Sequence, residues 1–293
     1  MLPRLIVILG PTASGKTQLA VQLAQKFNGE IISADSRQIY RGLDIGTGKD
    51  LSAYGSVPHH LIDIKNPNQK FNVANFKKLA LPEIKNITNR GHLPFLVGGT
   101  GLYLSALVDN YQIPRVKPSV ETRKKLAALP LAAKQKILKK LDPAAFKTID
   151  LKNPRRLDRA LEVCFSGQKF SALKQTARPL VHPLLIGLDI PRAVLNKKIN
   201  ARVERMIRSG LIVETKKLVK KYGLAAAPLQ TIGYQEIISY LNNQSTPAET
   251  LELIKLHTRQ YAKRQMTWFK RDKRIKWIKR KSEAEKLIKK FLT

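Results

Sequence analysis

Short apolar runs separated by turn residues dominate the first hundred positions of the chain: Leu5 to Leu9, Glu30 to Ser33, His59 to Ile64 and Leu93 to Val97. Continuous apolar runs of this length, bounded by glycine and polar clusters, predict buried parallel strands rather than half-exposed ones. Between them lie helix-period segments, Gln18 to Lys26 and Asn72 to Ile87, the second interrupted near Pro82. The alternation of strand and helix predicts an α/β fold with helices covering a parallel sheet. From Tyr111, with Ile113-Pro114-Arg115, the pattern changes to a basic helical tract, Ser119 to Cys164. Leu129-Pro130, Asp142-Pro143 and Asn153-Pro154 punctuate it, and three helices are expected there. Pro183 to Ile190 returns the chain to the sheet. Helices follow from Ala193 to Ser209, from Thr231 onward and from Pro247 to Lys273, and Lys279 to Thr293 reads as a terminal strand and helix. The expected organisation is an α/β core over 1–111 and 183–293 with a helical insertion over 112–182.

The first junction carries chemistry. Gly10-Pro11-Thr12-Ala13-Ser14-Gly15-Lys16-Thr17 lies between the first strand and the first helix, the setting of a P-loop. A glycine turn into a helix start aims backbone N–H groups and the helix dipole at one point, and Lys16 adds a cation. Phosphate fits there, and Thr17 can place its hydroxyl on a Mg²⁺ bridging phosphate oxygens. The loop does not decide between transfer, hydrolysis and displacement. At the end of the second strand, Asp35 reads as a base, a magnesium-shell ligand or a helix N-cap. Gly98-Gly99-Thr100-Gly101 forms a second strand-to-helix glycine turn, either admitting a ligand or packing tightly. Lys198, Arg202 and Arg205 can share a helix face, from which a cation could reach the phosphate.

Charge narrows the partners. Fifty-four Lys and Arg against 21 Asp and Glu give a formal +33, which suits a polyanion such as RNA, or solvated lysine-rich helix faces. Arg155, Arg156 and Arg159 cluster at one helix start, and His257 to Arg271 interleaves cations with Tyr261, Trp268 and Phe269 as core or base-stacking groups. The adjacent pair His59-His60 would point to opposite strand faces, against a two-His metal site. One cysteine, Cys164, excludes an intrachain disulfide and predicts a reducing compartment. Met1-Leu2-Pro3-Arg4 leads into the first strand without a cleavage site, and no apolar run spans a bilayer, so a cytoplasmic protein without a membrane is expected.

Two enzyme classes remain on the residues alone. A P-loop kinase using ATP would want a strand ending in Asp, and Val97 is followed by Gly98, although Asp63 and Asp189 lie in apolar runs. A transferase expelling diphosphate needs a phosphate cradle, Mg²⁺, an extra cation, a base and an acceptor surface, and candidates for each are present.

Gly10 to Thr17, Ser33 to Tyr40, Pro58 to Asp63, Leu96 to Tyr103, Asn153 to Val163, Ile232 to Glu236 and Thr258 to Phe269, in this order, resemble the bacterial tRNA dimethylallyltransferase (IPP transferase) family over nearly the whole chain. The resemblance implies a P-loop NTPase-like parallel sheet with an inserted helical tRNA-binding domain. It also implies Mg²⁺-dependent transfer of a dimethylallyl group from its diphosphate to N6 of adenine-37 beside the tRNA anticodon, by a monomer. It assigns Asp35 as base, with Lys16, Thr17 and Arg202 stabilising the departing diphosphate held by Gly10, Pro11, Thr12, Ala13, Ser14 and Gly15. It assigns Asp35, Ser36, Arg37, Gln38, Thr100, Gly101, Arg123, Arg155, Arg156, Leu157, Asp158, Arg159, Gln260 and Arg264 to tRNA. The zinc-finger extension of eukaryotic relatives is absent from this sequence.

Overall fold

The computed structural model describes residues 2–113, 116, 119–174 and 177–293. Pro114 and Arg115, part of the change of character after Tyr111, lie outside the described residues. The chain divides into two compact units, Met1–Val108 with Leu180–Thr293, and Asp109–Pro179.

In the first unit β1 (Arg4–Leu9) leads to α1 (Lys16–Lys26), β2 (Gly29–Ser33), the two-residue β3 (His59–His60), α2 (Val73–Asn89), β4 (Leu93–Gly98) and α3 (Gly101–Val108). Among the described residues six strands form one parallel sheet in the order β3-β2-β4-β1-β5-β6, where β5 is His182–Leu188 and β6 is Lys276–Ile278. The central strands β1, β2 and β4 are buried on both faces, as their unbroken apolar runs require. Leu5, Val7 and Leu9 enter one core with Phe76 and Leu104, while Ile6 and Ile8 enter the other with Ala20, Leu23 and Ile288.

Three expected elements differ. The run after His60 leaves the strand, because Leu61 and Asp63 take left-handed backbone angles (φ 62° and 54°) that a ladder does not admit. α2 runs through Pro82 without a break. Pro82 is exposed, so water can serve the carbonyl that its missing N–H leaves free. Capping by Asn72, whose side chain accepts from Ala74 and Asn75 N–H, fixes the start of this helix.

The helical unit holds four helices among the described residues, not three: α4 (Val120–Ala127), α5 (Leu131–Leu141), α6 (Pro143–Thr148) and α7 (Pro154–Phe165). The proline boundaries are those read from sequence, but Asp142-Pro143 both ends one helix and starts another. Asp142 caps α6 through Ala145 N–H and also accepts from Ser171 N–H. Leu126, Leu138, Ala145, Leu157, Ala160 and Leu161 make its core. Cys164 is half-buried at that core's margin.

After β5 the first unit adds α8 (Arg192–Arg208), α9 (Leu211–Tyr222), α10 (Tyr234–Leu241), α11 (Pro247–Phe269) and, after β6, α12 (Lys281–Leu292). α9 follows α8 directly across Gly210 (φ 98°), where a left-handed turn lets the chain reverse. Ile199, Val203, Leu211, Leu218, Tyr234, Ile237 and Ile254 bury the facing sides of these helices.

Candidate active site

The strand register brings three strand ends together. Leu9 pairs with Gly98, and Ser33 with Val97, so the loops after β1, β2 and β4 leave the sheet side by side. Ala34 N–H donates to Val97 O (2.7 Å), and Thr100 N–H to Ala34 O (3.3 Å). Gly98 permits this, because a Cβ there would overlap the Ala34 carbonyl. Ligand crevices of parallel sheets form at such carboxyl ends.

The loop after β1 turns through Ala13 (φ 61°) and Gly15 (φ 85°), and Gly15 caps α1 without a side-chain bond. The first amides of α1 therefore keep their N–H groups for a ligand, reinforced by the helix dipole. Ser14 Oγ is buried with no hydrogen-bond partner, a donor left over inside the cradle. One amide is committed: Thr12 N–H donates to Gln265 Oε1 on α11 (2.9 Å). Gln265 Nε2 in turn donates to Gly99 O (2.8 Å), so this buried amide ties the first glycine turn to the second.

A cavity of about 680 Å³ opens over these loops. Thr12, Lys16, Thr17, Asp35, Ser36, Arg37, Gln38, Thr100, Gly101, Arg202 and Arg264 line it, so the four catalytic candidates and seven other sequence-derived site residues share one space. Among the described lining residues Asp35 is the one carboxylate. Its Oδ1 accepts from Arg37 N–H (2.9 Å), which fixes the turn, while Ser36 N–H donates to Thr100 Oγ1 (3.1 Å). Asp35 is thus held by its own loop rather than by a helix N-terminus.

Two cations face it. Burial pushes the Lys16 ammonium down from 10.5 to about 8, against the pull of the Asp35 charge and with a smaller push from Arg202. Burial likewise lowers the Arg202 guanidinium, which Asp35 partly restores. Arg202 comes from α8, and donates to Thr12 Oγ1 (3.4 Å) and Thr47 O (2.9 Å). A half-buried pair of cations beside one carboxylate is strongly biased toward an anion.

The sequence reading missed part of this wall. Tyr54, Thr47, Gly48, Tyr234, Thr258 and Gln265 also line the cavity, together with Tyr261 and Trp268, which the sequence offered as core or base-stacking groups. Burial raises the Tyr261 phenol to about 12, with the Asp35 charge adding to the shift, so it faces the site as a neutral hydroxyl. Trp268 and Tyr261 therefore answer to the ligand space, whereas Phe269 is core. Gly101 makes room for Trp268, since a Cβ there would strike the indole. Gln260 lies outside the main cavity, in a shallower hollow of about 380 Å³ with Lys263, Arg264, Thr267, Trp268 and Arg271.

In the helical unit the arginines separate. Arg155 and Arg156 are exposed at the start of α7, where Asn153 caps through Arg156 N–H. Arg123 and Arg159 are bound to the buried Glu162 carboxylate (2.6 and 3.1 Å). One expected RNA contact is corrected here: Leu157 is fully buried in the unit's core, so its side chain serves the helix packing, while the part-exposed Asp158 pairs with Lys134 (2.8 Å).

His60 and His92 bind the buried Glu30 with Arg90, and His59 contacts Val57 O; among the described residues no cluster of His, Cys, Asp and Glu could hold a metal ion. No helix of the described residues is long and apolar enough to cross a membrane.

Fold and cavity together define a P-loop α/β protein that gathers cations and open amides about one carboxylate. Family models agree with that class and refine it: "IPP transferase" matches residues 38–272 and "Isopentenyl transferase" residues 3–54. A tRNA dimethylallyltransferase of Pelotomaculum thermopropionicum is 44% identical, over 96% of this chain and 92% of that protein. The crystal structure of a tRNA isopentenylpyrophosphate transferase from Bacillus halodurans is 41% identical, covers 94% of this chain and 90% of that one, and superposes with a TM-score of 0.72. A eukaryotic dimethylallyltransferase captured acting on tRNA is 30% identical over 90% of this chain and 69% of its own, with a TM-score of 0.79. The chain belongs to the IPP transferase family.

Proposed function

We propose that the protein is a tRNA dimethylallyltransferase, moving the dimethylallyl group of dimethylallyl diphosphate to N6 of adenosine-37, beside the anticodon, and releasing diphosphate. The observation that carries this reading is Asp35, the one carboxylate among the described lining residues, in a cavity that Thr12, Lys16 and Thr17 of the P-loop and Arg202 also line. A kinase of this fold would want a second acidic residue at the phosphate site for its metal. Asp63 instead pairs with Lys49 (2.5 Å), and neither Asp63 nor Asp189 lines the cavity.

The exocyclic N6 attacks C1 of the allylic chain, the C1–O bond breaks, and the electron pair leaves with the diphosphate. Asp35 takes the N6 proton, so its carboxylate must stay ionised until attack. Lys16, Arg202, the α1 amides and the spare Ser14 hydroxyl hold the charge that grows on the leaving oxygens. The base must be swung out of the RNA stack to reach the allylic carbon, and Ser36, Arg37, Gln38, Thr100 and Gly101, which line the cavity, would read it. Thr17 Oγ1 is a hard oxygen donor beside the phosphate cradle, which fits Mg²⁺ taking its other ligands from phosphate and water. Bound there, Mg²⁺ would neutralise charge on the diphosphate.

Arg155 and Arg156 would follow RNA phosphates, as would Gln260 and Arg264 from α11. Arg123 and Arg159 would do so only alongside their bonds to Glu162. One chain carries every group invoked, which supports a working monomer, and its tRNA substrate would be met in the cytoplasm. Incubation with unmodified tRNA, dimethylallyl diphosphate labelled in the prenyl chain and ATP labelled in the γ-phosphate tests the reading. Prenyl label on the RNA is expected; transfer of the phosphate label to any acceptor, with none from the prenyl donor, overturns it.

A further inference from the structure

Glu214, on α9, does not line the cavity, yet it binds the segment that aims Arg202. Its Oε2 accepts from the N–H groups of Asp44 (3.1 Å) and Ile45 (2.8 Å). Its Oε1 accepts from Gly46 N–H (3.0 Å) and the Tyr234 hydroxyl (2.7 Å). A carboxylate has about four lone-pair sites, and these four bonds fill them. Three successive amides wrapped on one carboxylate lock a glycine-rich loop that has no strand or helix of its own to order it.

The next two residues of that loop form the wall behind Arg202. Thr47 O accepts from Arg202 Nη2 (2.9 Å), and Gly48, at φ +61°, leaves open the space where a Cβ would overlap the guanidinium. Gly46 is packed against the Tyr234 ring so closely that a Cβ would collide with it. Carboxylate, tyrosine, loop and guanidinium thus form one connected set. We propose that Glu214 is a positioning residue for the transfer: by fixing residues 44–48 it directs Arg202 at the departing diphosphate. An arginine aimed in advance loses less side-chain freedom on binding than one that must be ordered by substrate. This inference rests on the proposed role of Arg202.

A double-mutant cycle with Glu214→Gln and Arg202→Ala tests it, read as single-turnover prenyl transfer at saturating tRNA and donor, with inorganic pyrophosphate affinity and the unfolding midpoint of each variant. An amide supplies one acceptor atom where four donors converge, so Glu214→Gln should slow transfer by about 10- to 100-fold in the Arg202 protein. In the Arg202→Ala background the same change should cost less than about threefold, because the group it aims is gone. Equal losses in both backgrounds, tracking the fall in midpoint, would overturn the positioning role and leave the reaction assignment intact. A wild-type rate for Arg202→Ala alone would instead sink the assignment of Arg202 and the inference with it. If Glu214→Gln fails to fold, Tyr234→Phe removes one of the four bonds. A several-fold slowing that disappears on Arg202→Ala supports the proposal, and one that persists there refutes it.

Discussion

Gln265 occupies the space that a side chain at residue 99 would need: a Cβ on Gly99 would fall on its Nε2. The same nitrogen donates to Gly99 O while the amide oxygen takes Thr12 N–H, so one buried side chain sets the spacing of both glycine turns. α11 can approach the sheet's carboxyl edge this closely because Gly99 and Gly101 present only backbone to it.

Gly99→Ala should therefore act at the P-loop although it lies outside it. The methyl group must displace Gln265, breaking two buried hydrogen bonds at a cost of about 1–3 kcal/mol each in unmet polar groups. The expected outcome is a lower unfolding midpoint together with weakened pyrophosphate binding. Thermal denaturation with and without pyrophosphate checks it, and an undiminished ligand-induced rise in midpoint would show that the two turns are independent.

Asp35→Asn should cut transfer by about 10²- to 10⁴-fold, the usual contribution of a positioned base. The amide keeps an acceptor for Arg37 N–H, so the turn itself should hold. Pyrophosphate affinity should stay near wild type or rise, since the carboxylate is the negative charge facing Lys16 and Arg202. Rapid-quench single-turnover rates and calorimetric titration separate the two effects, and a parallel loss of both would assign Asp35 to ligand binding.

The Lys16 ammonium, brought down to about 8 by burial, gives two opposite pH effects. In the unfolded chain it stays protonated to about 10.4. Between the two values the unfolded state holds more protons, so the Lys16 contribution to stability rises with pH across that window and is flat below it. Diphosphate binding needs the charged form, so affinity should fall as pH climbs through 8. Titration with pyrophosphate from pH 6.5 to 9.5 should show that fall in the native protein and lose this component in Lys16→Met. An identical profile in both would place the titrating group elsewhere.

How much of this was legible in the sequence depended on where the information lay. The P-loop and the strand ends were local patterns, since a glycine run between an apolar strand and a helix has few other readings. Asp35 could be placed with them because parallel strands share a carboxyl edge. Gln265 and Glu214 were not legible in this way: each is one polar residue on an amphipathic helix, and its backbone partners lie 166 and 253 positions away for Gln265 and 168 to 170 for Glu214. A signal did exist in the glycines. Gly46, Gly48, Gly99 and Gly101 are kept small by Tyr234, Arg202, Gln265 and Trp268, so a glycine in a turn marked a close approach without naming the neighbour. Motif spacing likewise placed Leu157 and Asp158 beside the arginines, but helix period alternates faces within such a run, and the core claimed Leu157.

The split among the helical unit's arginines makes the last prediction. Arg156 is exposed, and its backbone N–H, not its side chain, serves the Asn153 cap, so Arg156→Ala should leave that unit folded. If the guanidinium meets an RNA phosphate, its loss should weaken tRNA binding uniformly across sequences and lower the salt slope of log K by about 1. Arg123 differs in kind, because removing it strips the buried Glu162 of one of its two arginine partners. Arg123→Ala should therefore lower the unfolding midpoint as well as tRNA affinity. Leu157→Ala should cost about 2–5 kcal/mol through the cavity it opens, with no change in salt slope once the folded fraction is allowed for. Filter binding of tRNA from 50 to 300 mM salt, alongside denaturation of each variant, distinguishes the three. A salt slope unchanged in Arg156→Ala would remove that residue from the RNA path.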